Sequence, residues 1–181
     1  MDPIEIIRKF YPSDSKGYTI LINHSTAVAE KAVKIAEKFN VDRNFIYEAA
    51  MLHDIGIFMT HAPKLGCYGK YPYIAHGYLG REILEKEGFP RHALVCERHT
   101  GVGITMDEIE KKGLPLPLRE MTPQTLEEKI IAYADKFFSK EPNGSVRVRT
   151  VEEILEDLAK HGDEKVRIFR EWVKFFEGTT L

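Results

Sequence analysis

The sequence predicts an all-α fold, a single-domain helical bundle of about seven helices. Three observations carry this: apolar residues recur at three- and four-residue intervals along most of the chain, helix-capping residues precede those stretches, and no convincing strand alternation appears. With 181 residues, 43% of them hydrophobic and 30% charged, the chain can bury a core, and a disordered tail or fibrous repeat is excluded.

Between about Tyr18 and Phe39, Leu21, Val28, Ile35 and Phe39 mark one helical face. Asp42 is placed to cap a second helix with the inward stripe Ile46, Ala49, Ala50 and His53, stopped by Gly56. Residues 57 to 72, with Pro63, Gly66, Gly69 and Pro72, read as a long irregular loop. A helix from about Tyr73 to Glu87 and a short one to about His99 follow. A second long connection runs from Gly101 to about Thr122, with a turn of helix at Met106 to Lys112. Thr125-Leu126-Glu127-Glu128 has capping-box spacing and begins a helix through Phe138; Asn143-Gly144 breaks the chain. Thr150-Val151-Glu152-Glu153 repeats the spacing before a helix ending near Gly162, and Val166, Phe169, Trp172, Val173 and Phe176 stripe the last helix. Residues 1–181 therefore form one domain, with a site-bearing core at about 18–140 and packing helices at about 150–177.

The net charge is -2, from 26 Lys and Arg against 28 Asp and Glu, so no duplex nucleic-acid partner is implied. No stretch approaches the ~18 apolar residues of a membrane span. Met1-Asp2-Pro3-Ile4-Glu5 lacks the pattern of a secretory signal, and two cysteines are no disulfide framework. A cytoplasmic location is the expectation.

Seven histidines stand out. His24, His53, His76 and His99, with Asp54 and Asp135, sit on or beside the inward stripes of five segments. Any one alone reads best as a hydrogen-bonded core residue. Six in one small interior are costly to bury without a shared partner, and a metal centre supplies one. All-N/O ligation favours an open Fe, Mn, Co or Zn site over a thiolate zinc site, and six donors suit two divalent ions.

His24, then His53-Asp54-Ile55-Gly56, then Asp135 in Ala132-Tyr133-Ala134-Asp135-Lys136 resemble the H…HD…D pattern of the HD-domain metal-dependent phosphohydrolase superfamily, over about residues 20 to 140. His76 before Gly77, and His99 in Arg98-His99-Thr100-Gly101, resemble the extra ligands of its binuclear branch, closest to the symmetrical dinucleoside-tetraphosphate hydrolases. The resemblance implies that His24, His53, Asp54 and Asp135 hold one metal and His76 and His99 a second, bridged by Asp54. Fe or Mn is the first choice of metal, with Co, Ni or Zn as alternatives. Two departures stand out: the lysine that many relatives carry after the His-Asp-x-Gly stretch is Ile57 here, and Glu141-Pro142 is followed by a basic residue only at Arg147.

A centre of two divalent cations and two aspartates is formally positive, so the expected substrate is a small phosphorylated anion, with nucleotides among the candidates. The expected reaction is cleavage of a phosphoester or phosphoanhydride by metal-activated hydroxide, with Asp54 catalytic. His61 is the candidate acid to the leaving group. Lys64, Lys70, Arg98 and Lys136 are candidate phosphate contacts, and Tyr68, Tyr71 and Tyr73 candidate stacking surfaces. His92 and His161 read as structural, Cys96 as a small buried hydrophobe. Two alternatives remain open: an HD-type mixed-valent di-iron oxygenase using the same six residues, and a non-catalytic nucleotide-binding module. Homo-oligomerisation is also compatible with the sequence.

Overall fold

The computed structural model describes residues 1–178. Nine α-helices occur among them: α1 (Pro3–Arg8), α2 (Lys16–Ala36), α3 (Arg43–Leu52), α4 (His76–Lys86), α5 (Pro90–Arg98), α6 (Met106–Lys112), α7 (Leu126–Asp135), α8 (Val151–Ala159) and α9 (Asp163–Glu177). The two beyond the expected seven are α1, begun by Asp2 accepting from the Ile4 N–H, and the segment Met106–Lys112, a full helix with Thr105 at its start and Gly113 at its end.

Capping sets the helix starts. Ser15 Oγ accepts from the Tyr18 N–H before α2, and Asp42 Oδ1 from the Phe45 N–H before α3. Thr150 and Glu153 form the reciprocal capping box of α8. The box expected at Thr125 is only half made. Thr125 caps α7, but the Glu128 carboxylate accepts from the Gln124 N–H and from Arg98 instead.

Two short antiparallel hairpins depart from the all-helical expectation. β1 (His61–Ala62) pairs with β2 (Cys67–Tyr68) inside the 57–72 segment, with His61 opposite Tyr68. β3 (Phe138–Lys140) pairs with β4 (Val146–Val148), with Lys140 opposite Val146. The helix predicted to continue through Phe138 stops at Asp135 because the chain reverses into this second hairpin, whose turn holds Gly144 at φ 87°.

The main apolar core joins α2, α3, α7, α8 and α9 through Val28, Ile46, Ile131, Tyr133, Ile154, Phe169 and Phe176. A second cluster around Ile7, Leu21, Leu52, Ile55, Leu84 and Cys96 joins α1 and α2 to α3, α4 and α5. Backbones approach very closely between the turn after α3 and α4. A Cβ on Gly56 would lie 2.2 Å from the His76 carbonyl oxygen and 2.5 Å from the Gly80 nitrogen. One on Gly77 would lie 2.9 Å from the Cys96 carbonyl oxygen, so α4 presses against α5 as well. These glycines bring the ends of α3 and α5 together around the start of α4.

Candidate metal centre

His24, His53, Asp54, His76, His99 and Asp135 are all buried, and five of the six lie at helix ends. His24 is within α2; His53 and Asp54 follow α3, His76 opens α4, His99 follows α5 and Asp135 closes α7. The helix ends matter chemically. In the last turn of a helix the backbone carbonyls lack intrahelical partners, and a histidine just past the end can reach back to one.

His53 Nδ1 lies 2.6 Å from the Ala50 carbonyl and His99 Nδ1 2.7 Å from the Cys96 carbonyl. His76 Nδ1 lies 2.6 Å from the Tyr73 carbonyl in the turn that precedes α4. A carbonyl only accepts, so each Nδ1 carries the hydrogen, and in the neutral ring Nε2 is left with a lone pair facing the interior.

The donors fall into two groups. One ligand atom from each of His24, His53, Asp54 and Asp135 lies within 4.8 Å of the others, and so do those of Asp54, His76 and His99. Asp54 belongs to both. Its Oδ2 is 3.4 Å from His24 Nε2 and 3.2 Å from His53 Nε2, while its Oδ1 is 3.4 Å from His76 Nε2 and 3.3 Å from His99 Nε2. Asp135 Oδ1 completes the first group, 2.9 Å from His24 Nε2 and 3.3 Å from His53 Nε2.

These residues fit divalent cations. His76 Nε2 and His99 Nε2 face each other at 3.2 Å although both rings already donate through Nδ1. Two lone pairs at that distance repel, and a cation between them removes the conflict. His53 Nε2 and Asp54 Oδ1 are buried without hydrogen-bond partners, an arrangement costly in a low dielectric unless something binds there.

Electrostatics divide the histidines: without a cation, His53 keeps a proton while His24 and His76 stay neutral. Burial opposes a charge on His53, but the Asp54 and Asp135 carboxylates outweigh it and raise its pKa to about 10. Burial, aided by the Lys140 ammonium, lowers His24 to about 4, and burial lowers His76 to about 4. Burial would raise both aspartates, yet His53 and Lys140 hold Asp54, and Lys136 and His24 hold Asp135, well below the usual carboxylate range.

An open cavity of about 330 Å³ lies over Asp54, His76, His99 and Asp135. Its rim carries three cationic side chains, Lys136, Lys140 and Arg149. Lys140 Nζ sits 2.6 Å from Asp54 Oδ2 and 3.5 Å from the Tyr73 hydroxyl, and Lys136 Nζ is 3.0 Å from Asp135 Oδ2.

Lys136 is the only one of the four basic residues proposed from sequence that lines this cavity. Arg98 turns away and pairs with Glu128 at 3.0 Å. Lys64 and Lys70 are exposed on the first hairpin, the Lys70 ammonium 5.2 Å from the Tyr71 ring centre. His61 is exposed on β1, outside the cavity lining. Tyr73 lines the cavity, whereas Tyr68 is exposed on β2. His92 binds Glu48 at 3.1 Å and Cys96 is buried, in line with structural roles. Helical periodicity does not point to Lys140 or Arg149; the signal that could have found them is Asn143-Gly144 followed by alternating Val146 and Val148, a hairpin signature that folds the segment back over Asp135.

The HD domain family profile matches residues 21–139, most of the chain and all six donors. The chain belongs to the HD domain family, as the resemblance implied. The HD domain of L. monocytogenes phosphodiesterase PgpH superposes with a TM-score of 0.54 at 19% identity, covering 93% of each chain, a likeness of fold. A tRNA (cytidine(56)-2'-O)-methyltransferase of Thermoplasma volcanium is 34% identical over 162 residues, 89% of this chain and 41% of that protein. A protein of the same name from Picrophilus torridus is 37% identical over 121 residues, 66% of this chain and 32% of its own length. An uncharacterized protein of Methanocaldococcus jannaschii is 39% identical over 121 residues, 64% of each. The chain thus spans less than two thirds of the length of each of these curated relatives. No described helix of this HD domain is long and apolar enough to cross a membrane.

Proposed function

We propose that this HD domain is a metal-dependent phosphohydrolase that cleaves a phosphoester or phosphoanhydride of a nucleotide or other small phosphorylated metabolite. One observation carries the reading: two groups of buried N/O donors share Asp54 beneath a cavity rimmed by Lys136, Lys140 and Arg149. His24, His53, Asp54 and Asp135 would hold one divalent ion, Fe or Mn first, and Asp54, His76 and His99 the other. Bound there, the pair supplies an activated water and polarises phosphoryl oxygens.

The protein's own part is positioning. The carbonyls of Ala50, Tyr73 and Cys96 fix three imidazoles in the tautomer that offers Nε2. Lys140 and Lys136 present ammonium groups at the cavity, where a phosphate can exchange its place against them with Asp54 and Asp135. Lys140 thereby provides from β3 the positive charge that Ile57 does not provide after the His-Asp pair. This cationic rim favours an anionic, phosphorylated substrate.

The methyltransferase name of the two archaeal relatives describes longer proteins, of which this chain matches 41% and 32%. Elemental analysis of the purified chain is expected to give two transition metals per chain, and a phosphate-release screen with Mn or Fe, under reducing anaerobic conditions, to find turnover. Oxygen-dependent consumption of a C–H substrate with no phosphate release would replace this reading by the di-iron oxygenase. Tight nucleotide binding without turnover in any metal would replace it by a regulatory module.

A further inference from the structure

A second cavity, of about 490 Å³, adjoins the first. Tyr73, Thr100, Lys136 and Arg149 line both, so the two meet at these residues. The walls differ in chemistry. Around the metal centre the lining is ionic; in the second cavity, Val102, Ile104, Leu114, Ile154 and Leu158 make an apolar floor between α6 and α8. Polar groups return at the margin, where the Glu108 carboxylate lies 2.9 Å from Lys112 Nζ and 2.6 Å from Lys165 Nζ, and where Asp157 pairs with Arg149 at 2.7 Å.

We propose that this second cavity seats the nucleoside half of a nucleotide whose phosphate lies at the metal centre, an assignment that rests on the phosphohydrolase reading and names its substrate class. The volume falls within the range of about 300–1,000 Å³ of small-molecule pockets. An apolar floor cannot solvate phosphate, so the anionic end remains at Lys136, Lys140 and Arg149. An alkyl chain would match the apolar floor but offer nothing to the polar side chains of Glu108, Lys112, Asp157 and Lys165 that also line the cavity. A nucleobase resolves both demands, because its faces are apolar and its edge carries hydrogen-bond donors and acceptors. Arg149 lines both cavities, and one of its terminal nitrogens bonds Asp157 and the Glu153 carbonyl.

Leu114 is half-buried on the wall of the second cavity, after α6, and is remote from the six metal-centre residues in the chain. With the Mn-loaded chain, calorimetric titration of the four common nucleoside 5'-monophosphates and of inorganic phosphate is expected to show at least one nucleotide binding ten-fold or more tightly than phosphate. Leu114→Trp, which fills the cavity, should abolish that advantage and leave the phosphate affinity within about two-fold. Leu114→Ala, which keeps the space and removes contact, should weaken the nucleotide about three-fold and serves if the tryptophan variant does not fold. Equal affinity for nucleotides and phosphate, or a nucleotide advantage that neither variant changes, overturns the assignment. Phosphate release from the same nucleotides separates the two readings. Cleavage with a KM indifferent to residue 114 sinks the cavity assignment and spares hydrolysis, whereas residue-114-dependent binding without cleavage spares the cavity and sinks hydrolysis.

Discussion

Asp54 reaches both donor groups, with one carboxylate oxygen toward each. Replacing it with alanine should therefore cost both bound metals and reduce turnover by at least ~10³-fold, the scale expected when a metal centre is dismantled. Two metals per chain in Asp54→Ala, by elemental analysis, would reject its bridging place. Lys140 is separable from it. Lys140→Met keeps the stem and deletes the charge, so kcat/KM should fall ~10- to 100-fold through loss of phosphate stabilisation while two metals stay bound. If Lys140 merely neutralises Asp54 in metal-free protein, kcat/KM will hold and metal affinity alone will rise. Sequence logic grouped the six candidate donors, which the structure also brings together, because polar residues on apolar stripes need a common partner. Of its cationic candidates Lys136 lines the cavity, whereas Lys64 and Lys70, taken from the loop after the His-Asp pair, and Arg98, taken as a chain neighbour, do not; adjacent residues on a helix point about 100° apart. Arg98 beside His99 accordingly faces Glu128.

At the scale of elements, the site depends on how closely the turn after α3, α4 and α5 can approach. Gly56→Ala would place a methyl 2.2 Å from a backbone oxygen, where no rotamer change relieves it. A loss of ~2 kcal/mol or more is expected, seen in urea unfolding. Because His76 opens the displaced helix, the His76 and His99 group should lose its ion first, giving one metal per chain in whatever protein still folds. A Gly56→Ala protein with wild-type stability and two metals would show that the turn can move without disturbing the centre. The helices themselves were legible from periodicity and caps. The hairpins were not, since strands of two or three residues are too short for alternation to register against a helical background, and α7 therefore ran three residues too far in the prediction. That single boundary hid Lys140, whose position over Asp54 exists only because the chain reverses after Asp135.

For the whole molecule, a formal net charge of -2 conceals buried groups whose titration couples stability to metal content. In protein stripped by chelation, His24 and His76 have folded pKa values of about 4, below the unfolded value of about 6.5. Between those limits the unfolded chain binds more protons, so stability falls as the pH drops from about 6.5 toward 4, on the order of 1 kcal/mol per pH unit for each of the two groups. Below that, Asp54 and Asp135, both depressed by their cationic neighbours, lose their contribution as well. His53 acts with the opposite sign. Its folded pKa of about 10 exceeds the unfolded value, so its contribution is complete below about 6.5 and is lost as the pH rises toward 10. Metal-free protein should thus be most stable near pH 6.5 and weaken on both sides. Metal binding needs His53 neutral, so loading at pH 8 displaces its proton and removes the reason for the alkaline decline. Urea midpoints measured from pH 4 to 9.5 with chelator and with Mn should then diverge above pH 7, the Mn curve holding level where the chelated one falls. Parallel curves across that range would mean that His53 does not carry a proton in the metal-free fold, and the two-carboxylate environment assigned to it would have to be abandoned.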